Sequence, residues 1–562
     1  MSGLDWAVLA VAIGAIVGYG AWRSRGVRTT ESYLRAGADL RWWTIGLSLV
    51  ATQASAITFL SVPGQAYVDG VGFVQFYFGL PLAMVILSAV IVPVYHRLGV
   101  YTAYEYLERR FDRKTRQLAA LLFLVSRGLA SGLAIYAPAL VLSAVLGWSA
   151  SVTNLALGGV TVVYTVLGGS RAVSRTQSVQ MAVVLAGMLA ALAVAIASLP
   201  VSLGQGIALA GALGKLKGVD LSLRFDTRYT LWSGLLGGLF VQLAYFGTDQ
   251  SQVQRYLAGG PLAQSRLGLL MNGLVKVPMQ FFILFIGVMV FVYYQLAPPP
   301  LFFDRTALEQ ARDRDRPGVE RLERAHSRVF AEKRAAIERL LAPGAGPAEV
   351  EAARARVREE EARDVALRRE AGSLVARTVP SADAKDSDFI FLRFVLDHFP
   401  RGLLGLLVAA ILSAAMSANS AALSSLGATT VVDFYKPRHP EATDAQTLRV
   451  ARLATAAWGI VAVGFGGFAS LLDNLIQAVN VLGSLFYGPM LGVFLLGFFV
   501  KRVRGSAAFA ATAAAEAAVL TAAALGRVGY LWYNVIGCAA VLVLAPALEQ
   551  VLRRMPGRAR SA

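Results

Sequence analysis

The chain has 562 residues, 56% of them hydrophobic and only 16% charged, with a mean hydropathy of +0.57. A soluble chain of this size carries about 25% charge, so a soluble globular protein is excluded. The net charge of +18 does not mark a nucleic-acid binder, because the basic residues sit in short loops between apolar runs. The single cysteine, Cys538, lies in an apolar run and excludes an internal disulfide and a cysteine-based metal site.

Thirteen apolar spans are predicted, at 4–22, 42–62, 72–95, 118–146, 150–167, 177–199, 231–248, 268–297, 388–430, 450–471, 475–500, 506–525 and 529–550. The clearest have about 18 residues or more, enough to cross the roughly 30 Å hydrocarbon core as helices. The expected fold class is an all-α polytopic membrane protein. The first span is not followed by a small-residue cleavage site and reads as a retained helix, not a signal peptide.

The second span is the first unusual one. Thr52, Gln53, Ser55, Thr58 and Ser61 cluster in it, and Pro63-Gly64 closes it. Unwound backbone is allowed at membrane depth only where it is shielded and lines a cavity, so a broken helix is expected here. The third span carries Gln75 and Tyr77, and the fourth carries Arg127. A charge inside a membrane usually lines a cavity. Arg127 therefore reads either as an anchor for a carboxylate or as a snorkelling side chain. The seventh span offers a second break within Gly237–Gly247, followed by Asp249. The two interrupted spans lie five apart in order, as two five-helix repeats would place them, and point to a substrate site. Lys276 in the eighth span and Asp249 are weaker candidates.

Two loops are long. One is 200–230, with Lys215, Lys217, Arg224 and Arg228. The other, 298–386, is rich in Arg, Glu and Ala, and Leu341-Ala-Pro-Gly-Ala-Gly-Pro347 divides two helix-favouring runs. It reads as an extracytoplasmic helical hairpin and divides the chain into 1–297, 298–386 and 387–562. The segment 388–430 is too long for one straight span, and a short surface helix is expected at its start. Alternate loops carry the positive charge. Arg23, Arg25, Arg28, Arg35 and Arg41 follow the first span, Arg97, Arg109, Arg110, Arg113, Lys114 and Arg116 the third, and Arg171 and Arg175 the fifth. Arg255 and Arg266 follow the seventh, Lys436 and Arg438 the ninth, Lys501, Arg502 and Arg504 the eleventh, and Arg553, Arg554, Arg558 and Arg560 the last. The expectation is a multi-pass protein of the cell membrane, with the N-terminus outside and the C-terminus cytoplasmic.

Within the ninth span, Ser413, Ser417, Ser420 and Ser424 fall within about 60° of one another at ~100° per residue. Such a stripe reads as a tight helix–helix interface or as a wall of oxygens for a hard cation such as sodium. His96, His326, His398 and His439 lie in or near loops, scattered in sequence. Nothing resembles a zincin helix, a nucleophile elbow or a phosphate loop, so no enzyme is expected.

Four stretches carry a resemblance: SAITFLSVPGQAY at 55–67, YTVLGGSRAVSRTQSVQ at 164–180, DQSQVQRYLAGG at 249–260, and LSAAMSANSAALSSLGATTVVDFYKP at 412–437. A fifth, GPMLGVFLLGFFVKR at 488–502, supports them. The chain resembles the sodium/solute symporters, which carry sugars, proline, sialic acid, monocarboxylates and iodide. The resemblance implies ten core helices in two inverted repeats (5+5), broken first and sixth core helices, and extra helices at the ends. It implies sodium (Na+) as the coupling ion, held by backbone carbonyls of Ala51, Ala54 and Ala414 and by the Ser417 hydroxyl. Ser420 belongs to a weaker second site. Ala418 stands where the family usually has another hydroxyl, Gln177 where some members have an aspartate, and Ala421 replaces a further hydroxyl. The implied solute residues are Ser55, Thr58, Gln242 and Tyr245, with Tyr245 as an aromatic gate. Gln75 and Arg127 are the further solute candidates, although acid-transporting relatives carry their arginine about one turn later, at the position of Ala130. The implied activity is sodium:solute symport of a small organic solute by alternating access, with solute, sodium and membrane lipid as partners. The alternatives are a proton-coupled or uncoupled carrier and, in another class, a transporter-like membrane sensor. A sensor would be expected to carry a signalling domain after the last span.

Overall fold

In a bilayer every backbone N–H and C=O must find its partner within the chain, so apolar runs become helices. The computed structural model describes residues 1–24, 40–342, 344, 346–379, 384–468 and 475–554. Arg25, Arg28, Arg35, Arg558 and Arg560 lie outside the described residues, as do the side chains of Arg23, Arg171 and Arg175. Among the described residues the structure is helical, with one isolated bridge between Leu40 and Gly259.

The chain opens with α1 (Gly3–Ser24). A broken span follows, made of α2 (Trp42–Gln53) and α3 (Ala56–Asp69). After a 3-10 stretch, Gly70–Tyr77, come α4 (Leu80–Ile86), a π turn at Leu87–Ile91 and α5 (Val92–Leu98). The short α6 (Tyr104–Arg110) leads to α7 (Arg113–Leu146), capped by Asp112, whose carboxylate accepts the Thr115 N–H at 2.8 Å. Helical bonding is continuous through α8 (Ala150–Ala197). Yet Tyr164 Oη and Thr176 Oγ1 are 2.9 Å apart across twelve residues, which would rise about 18 Å in a straight helix. The helix therefore bends sharply between them, and α8 holds the fifth and sixth spans.

After α9 (Leu203–Ala212), a π turn at Ser233–Gly237 enters α10 (Gly238–Gly247), which breaks before α11 (Gln250–Leu257). Then come α12 (Leu262–Leu296), the polar helices α13 (Arg305–Arg314), α14 (Arg316–Leu340) and α15 (Pro347–Thr378), and the short α16 (Ser387–His398). The last spans are α17 (Leu403–Thr429), α18 (Asp444–Gly466), α19 (Leu475–Phe499), α20 (Gly505–Leu525) and α21 (Leu531–Arg554). Among the described residues, ten stretches are long and apolar enough to cross a membrane. With α1, the half-span α2 and the broken span that begins at Ser233, they make up the thirteen.

Among the described residues, the basic segments after the third, ninth, eleventh and last spans come together on one face. Arg110 donates to the carbonyls of Gly497 (3.3 Å) and Val500 (2.8 Å), Arg116 to Val432 (2.8 Å), and Arg553 to Arg502 (2.9 Å). The polar helices sit on the opposite face. There Arg358 donates to the Ala212 carbonyl (3.0 Å), Lys215 to the Val68 carbonyl (2.5 Å), and Arg368 pairs with Asp386 at 3.0 Å. On that face Asp5 of α1 also accepts the N–H groups of Gly402 (2.6 Å) and Gly405 (3.1 Å), and so caps α17.

Pro63-Gly64 does not close the second span. Both residues lie inside α3, which ends at Asp69 before Gly70 at φ +73°. Their role is close packing. A Cβ on Gly64 would fall 1.9 Å from the Ser387 carbonyl oxygen, and one on Gly287 would fall 2.1 Å from that of Pro63.

Between α14 and α15, Lys333 Nζ lies 2.7 Å from Asp364 and 2.9 Å from Glu361, and His326 Nε2 lies 3.0 Å from Asp364. Burial acts to raise the Asp364 pKa, but His326 and the Lys333 charge outweigh it and hold the carboxyl well below its ordinary value of 3.8. A depressed folded-state pKa gives stability that is present above the unfolded pKa and lost as pH falls below it. Amide exchange in 316–378 is therefore expected to accelerate as pH drops below about 4, after correction for the intrinsic rate. Asp364→Asn should flatten that dependence; an unchanged profile would remove Asp364 as its source.

Candidate functional site

The break between α2 and α3 positions the first wall. Ala54 leaves the helical conformation (ψ 78°), and Ser55 is extended (ψ 171°). A helix end strands its last carbonyls. Here the Ala51 carbonyl accepts the Ser417 hydroxyl of α17 at 3.3 Å. Two oxygens that share one hard cation at about 2.4 Å and a right angle lie ~3.4 Å apart, so this pair has the spacing of two ligands. Ala54 lies in the unwound stretch, and Ala414 is almost one turn before Ser417 on α17, buried like it. Ala418 contributes no side-chain oxygen.

Two other serines of the stripe bond back to their own helix, and the buried Ser413 hydroxyl has no partner among the described residues. Ser420 donates to the carbonyls of Met416 and Ser417 (3.3 Å to the latter), and Ser424 to that of Ala421 at 3.1 Å. Gln177, on the second limb of α8, joins the two walls. Its amide donates to Thr52 Oγ1 at 2.9 Å and to the Ser417 carbonyl at 3.4 Å, and its oxygen accepts the Ser48 hydroxyl. The amide thus supplies donors where an aspartate would supply only acceptors.

The second break falls later than Gly237–Gly247. The glycines of that stretch lie in continuous helix, and Gly238 serves close approach, since a Cβ there would lie 2.8 Å from the Phe76 carbonyl oxygen. The helix stops at Thr248, and Asp249 is extended and caps α11 by accepting the Ser251 N–H at 2.9 Å. The carbonyls freed there accept tyrosine hydroxyls. Tyr95 donates to Gly247 and Tyr104 to Thr248, both at 2.8 Å.

Between the breaks, Gln53 Nε2 approaches Gln242 Oε1 at 3.5 Å. Thr58 is buried, and the Ser55 hydroxyl makes no capping bond although Ser55 begins α3. Ile45 packs on Gly268 and Pro63 on Gly287, so the 54–55 break lies midway along α12, level with Lys276. Lys276 is fully buried, has no hydrogen-bond acceptor among the described residues, and sits 5.7 Å from the Tyr77 ring centroid. One turn on, the Gln280 amide is buried and equally unpartnered.

Two solute candidates are engaged elsewhere. The Gln75 amide donates to the carbonyls of Gly72 and Tyr229 (3.1 Å each) and accepts the Asp220 N–H at 2.9 Å. It ties down the 200–230 loop, and none of these contacts is with Ser55, Thr58 or Gln242. Arg127 is paired with Asp249, its Nε 3.0 Å from Oδ2. It also donates to the Tyr487 hydroxyl at 3.0 Å and lies 5.1 Å from the Tyr245 ring centroid. Sequence reasoning missed Tyr487; its one signal is its place just before Gly488-Pro489 in the fifth quoted stretch.

The sequence profile described as the sodium:solute symporter family matches residues 33–302 and 371–514. The chain belongs to this family. The unmatched stretch between the two blocks falls on α13–α15. The chain is 28% identical over 498 residues to the sodium-dependent multivitamin transporter of Oryctolagus cuniculus, covering 88% of this chain and 65% of that protein. It is 27% identical to the sodium/iodide cotransporter of Homo sapiens (99% and 72%) and 24% identical to the sodium/sialic acid symporter of Aliivibrio fischeri (96% and 92%). It thus spans about two thirds of the length of several curated relatives, 66% for a Xenopus laevis sodium-coupled monocarboxylate transporter. In fold it is similar to the substrate-bound outward-open state of a Na+-coupled sialic acid symporter, with TM-score 0.75, 23% identity and 98% of each chain covered.

Proposed function

We propose that this protein couples sodium entry to symport of a small organic solute by alternating access. The observation that carries this reading is the Ser417 hydroxyl on the Ala51 carbonyl at the helix break, in a chain of a sodium symporter family. Sodium would replace that hydrogen bond, taking both oxygens together with the carbonyls of Ala54 and Ala414. It therefore favours the state in which α2 and α17 stand at this separation. An ion shifts a conformational equilibrium only by binding one state better than the other. The basic face is cytoplasmic, with the N-terminus outside, the C-terminus inside, and α13–α15 outside. The chain is a transporter of the cell membrane rather than an enzyme.

The solute site lies between the breaks, among Ser55, Thr58, Gln53, Gln242 and Tyr245. The buried, unpartnered amine of Lys276 favours an anionic solute, since a buried cation without a counter-charge is costly. The named substrates of three relatives, a monocarboxylate, iodide and sialic acid, are anions as well.

Thermal unfolding in detergent, in sodium against potassium or choline at matched ionic strength, tests the coupling. Sodium at ten times its Kd should stabilise the protein by about 1.4 kcal/mol. Ala418→Ser should lower the sodium concentration needed for the same rise in Tm. No sodium-specific shift in either protein would turn the reading to a proton-coupled or uncoupled carrier. In saturating sodium, small carboxylates should add a further shift that neutral sugars do not; the reverse ranking would overturn the anion assignment.

A further inference from the structure

We propose that Arg127, Asp249 and Tyr487 form a latch that shuts the path from the solute site to the basic face, and that Arg127 serves this latch and not the solute. The proposal rests on the transporter reading. Three separate elements meet in it: α7 brings Arg127, the α10–α11 break brings Asp249, and α19 brings Tyr487. Asp249 is fully buried and both its oxygens are engaged. Oδ2 takes the Arg127 guanidinium and the Tyr487 hydroxyl (3.1 Å), while Oδ1 takes the Ser251 N–H (2.9 Å) and hydroxyl (2.6 Å). The positive charge of Arg127 is thus met by a carboxylate of the same protein, whereas Lys276 has none.

The position along the path is set by α10. Gln242, Tyr245 and Asp249 succeed one another about a turn apart, running from the face of the 200–230 loop towards the basic face. Beyond Asp249, α11 leads to Gly259 and Gly260, where His96 meets the Gly260 carbonyl at 3.0 Å beside the basic loops. The latch therefore lies between the solute candidates and the basic face. Tyr245 is clamped above it. Its ring faces the guanidinium and lies 5.9 Å from the Tyr487 ring, and its hydroxyl takes the Gln252 amide at 2.7 Å. A buried ion pair contributes little stability against an apolar replacement, but parting its members is costly. Such a pair selects between conformations: it is intact with the inner path shut and must open for release.

The test uses the full-length protein in detergent, with hydrogen exchange read by segment and sodium chloride titrated by thermal shift. Asp249→Asn and Arg127→Gln should each speed exchange in 250–257 and 483–499 about tenfold. Their apparent sodium affinity should weaken about tenfold, in proportion to the loss of the binding-competent population. Asp249→Glu should stay within threefold of the natural protein, and the swap Arg127→Asp with Asp249→Arg should recover most of either single loss. Exchange unchanged in those segments, or raised evenly through every span, overturns the latch. Tighter binding of lactate by Asp249→Asn overturns it too, because a freed Arg127 would then be serving solute. If the natural protein binds no sodium, the sodium-coupled reading fails, while the exchange arm still decides the latch.

Discussion

Ser417→Ala is expected to remove the sodium-specific rise in melting temperature and leave melting in potassium nearly unchanged. The hydroxyl is the one side-chain oxygen in the proposed sodium set, and its present bond to Ala51 is long at 3.3 Å. In the absence of sodium its loss should cost no more than about 1 kcal/mol. With sodium bound, a missing ligand to a charge should cost about 1.5–3 kcal/mol, or roughly a tenfold to hundredfold weaker affinity. Ser420→Ala is the control. Its hydroxyl turns back to its own helix, so the sodium response should stay within about twofold. A Ser417→Ala protein that melts higher in sodium, just as the natural one does, would place the ion elsewhere.

Asp433→Ala should be the most destabilising single change on the basic face. Its Oδ1 accepts Arg116 Nε at 2.7 Å and the Thr102 hydroxyl at 2.9 Å, and the Asp433 carboxylate is fully buried. Arg116 also pairs with Glu108 and donates to the Val432 carbonyl, fastening α7 to the end of α17. Removing one partner of a buried pair costs about 3–5 kcal/mol when the other charge is left alone; here Arg116 keeps the part-exposed Glu108, so the loss should fall at or below the lower end of that range. The double variant Arg116→Met with Asp433→Leu removes both charges and should recover most of that loss, because apolar packing replaces a buried pair at little cost. Equilibrium unfolding of the two variants is the measurement. A single-variant loss below about 1 kcal/mol would show that water reaches the pair.

The spans were legible because hydropathy alone dictates them, and α2–α3 announced its break through Thr52, Gln53, Ser55 and Thr58, polar groups that a bilayer tolerates only around a cavity. The second break was legible in kind but not in place. Glycine pairs look like helix breakers, yet Gly234, Gly237 and Gly238 lie within helix and give neighbouring chains room, while Asp249, a cap for α11, ends the continuity. The fate of Arg127 could not be read at all. A lone arginine in a span has several possible partners, and Asp249 lies 122 residues away in sequence. Gln75 shows the same limit from the other side. Its polarity was plain, but its partners sit in a loop whose path no local pattern fixes.

Asp5 has a consequence for how the chain is made. The carboxylate that completes the start of α17 is separated from Gly402 by 397 residues. At about 5–20 residues per second, the ribosome needs ~20–80 s to travel from one to the other. Throughout that interval α1 can pack against α8, but its Asp5 carboxylate lacks the α17 amides it will cap. The proposed ion site needs Ser417 of α17 and is absent over the same interval. Until α17 arrives, a sodium ion would find only the helix-break carbonyls of the proposed set, without the Ser417 hydroxyl or the Ala414 carbonyl.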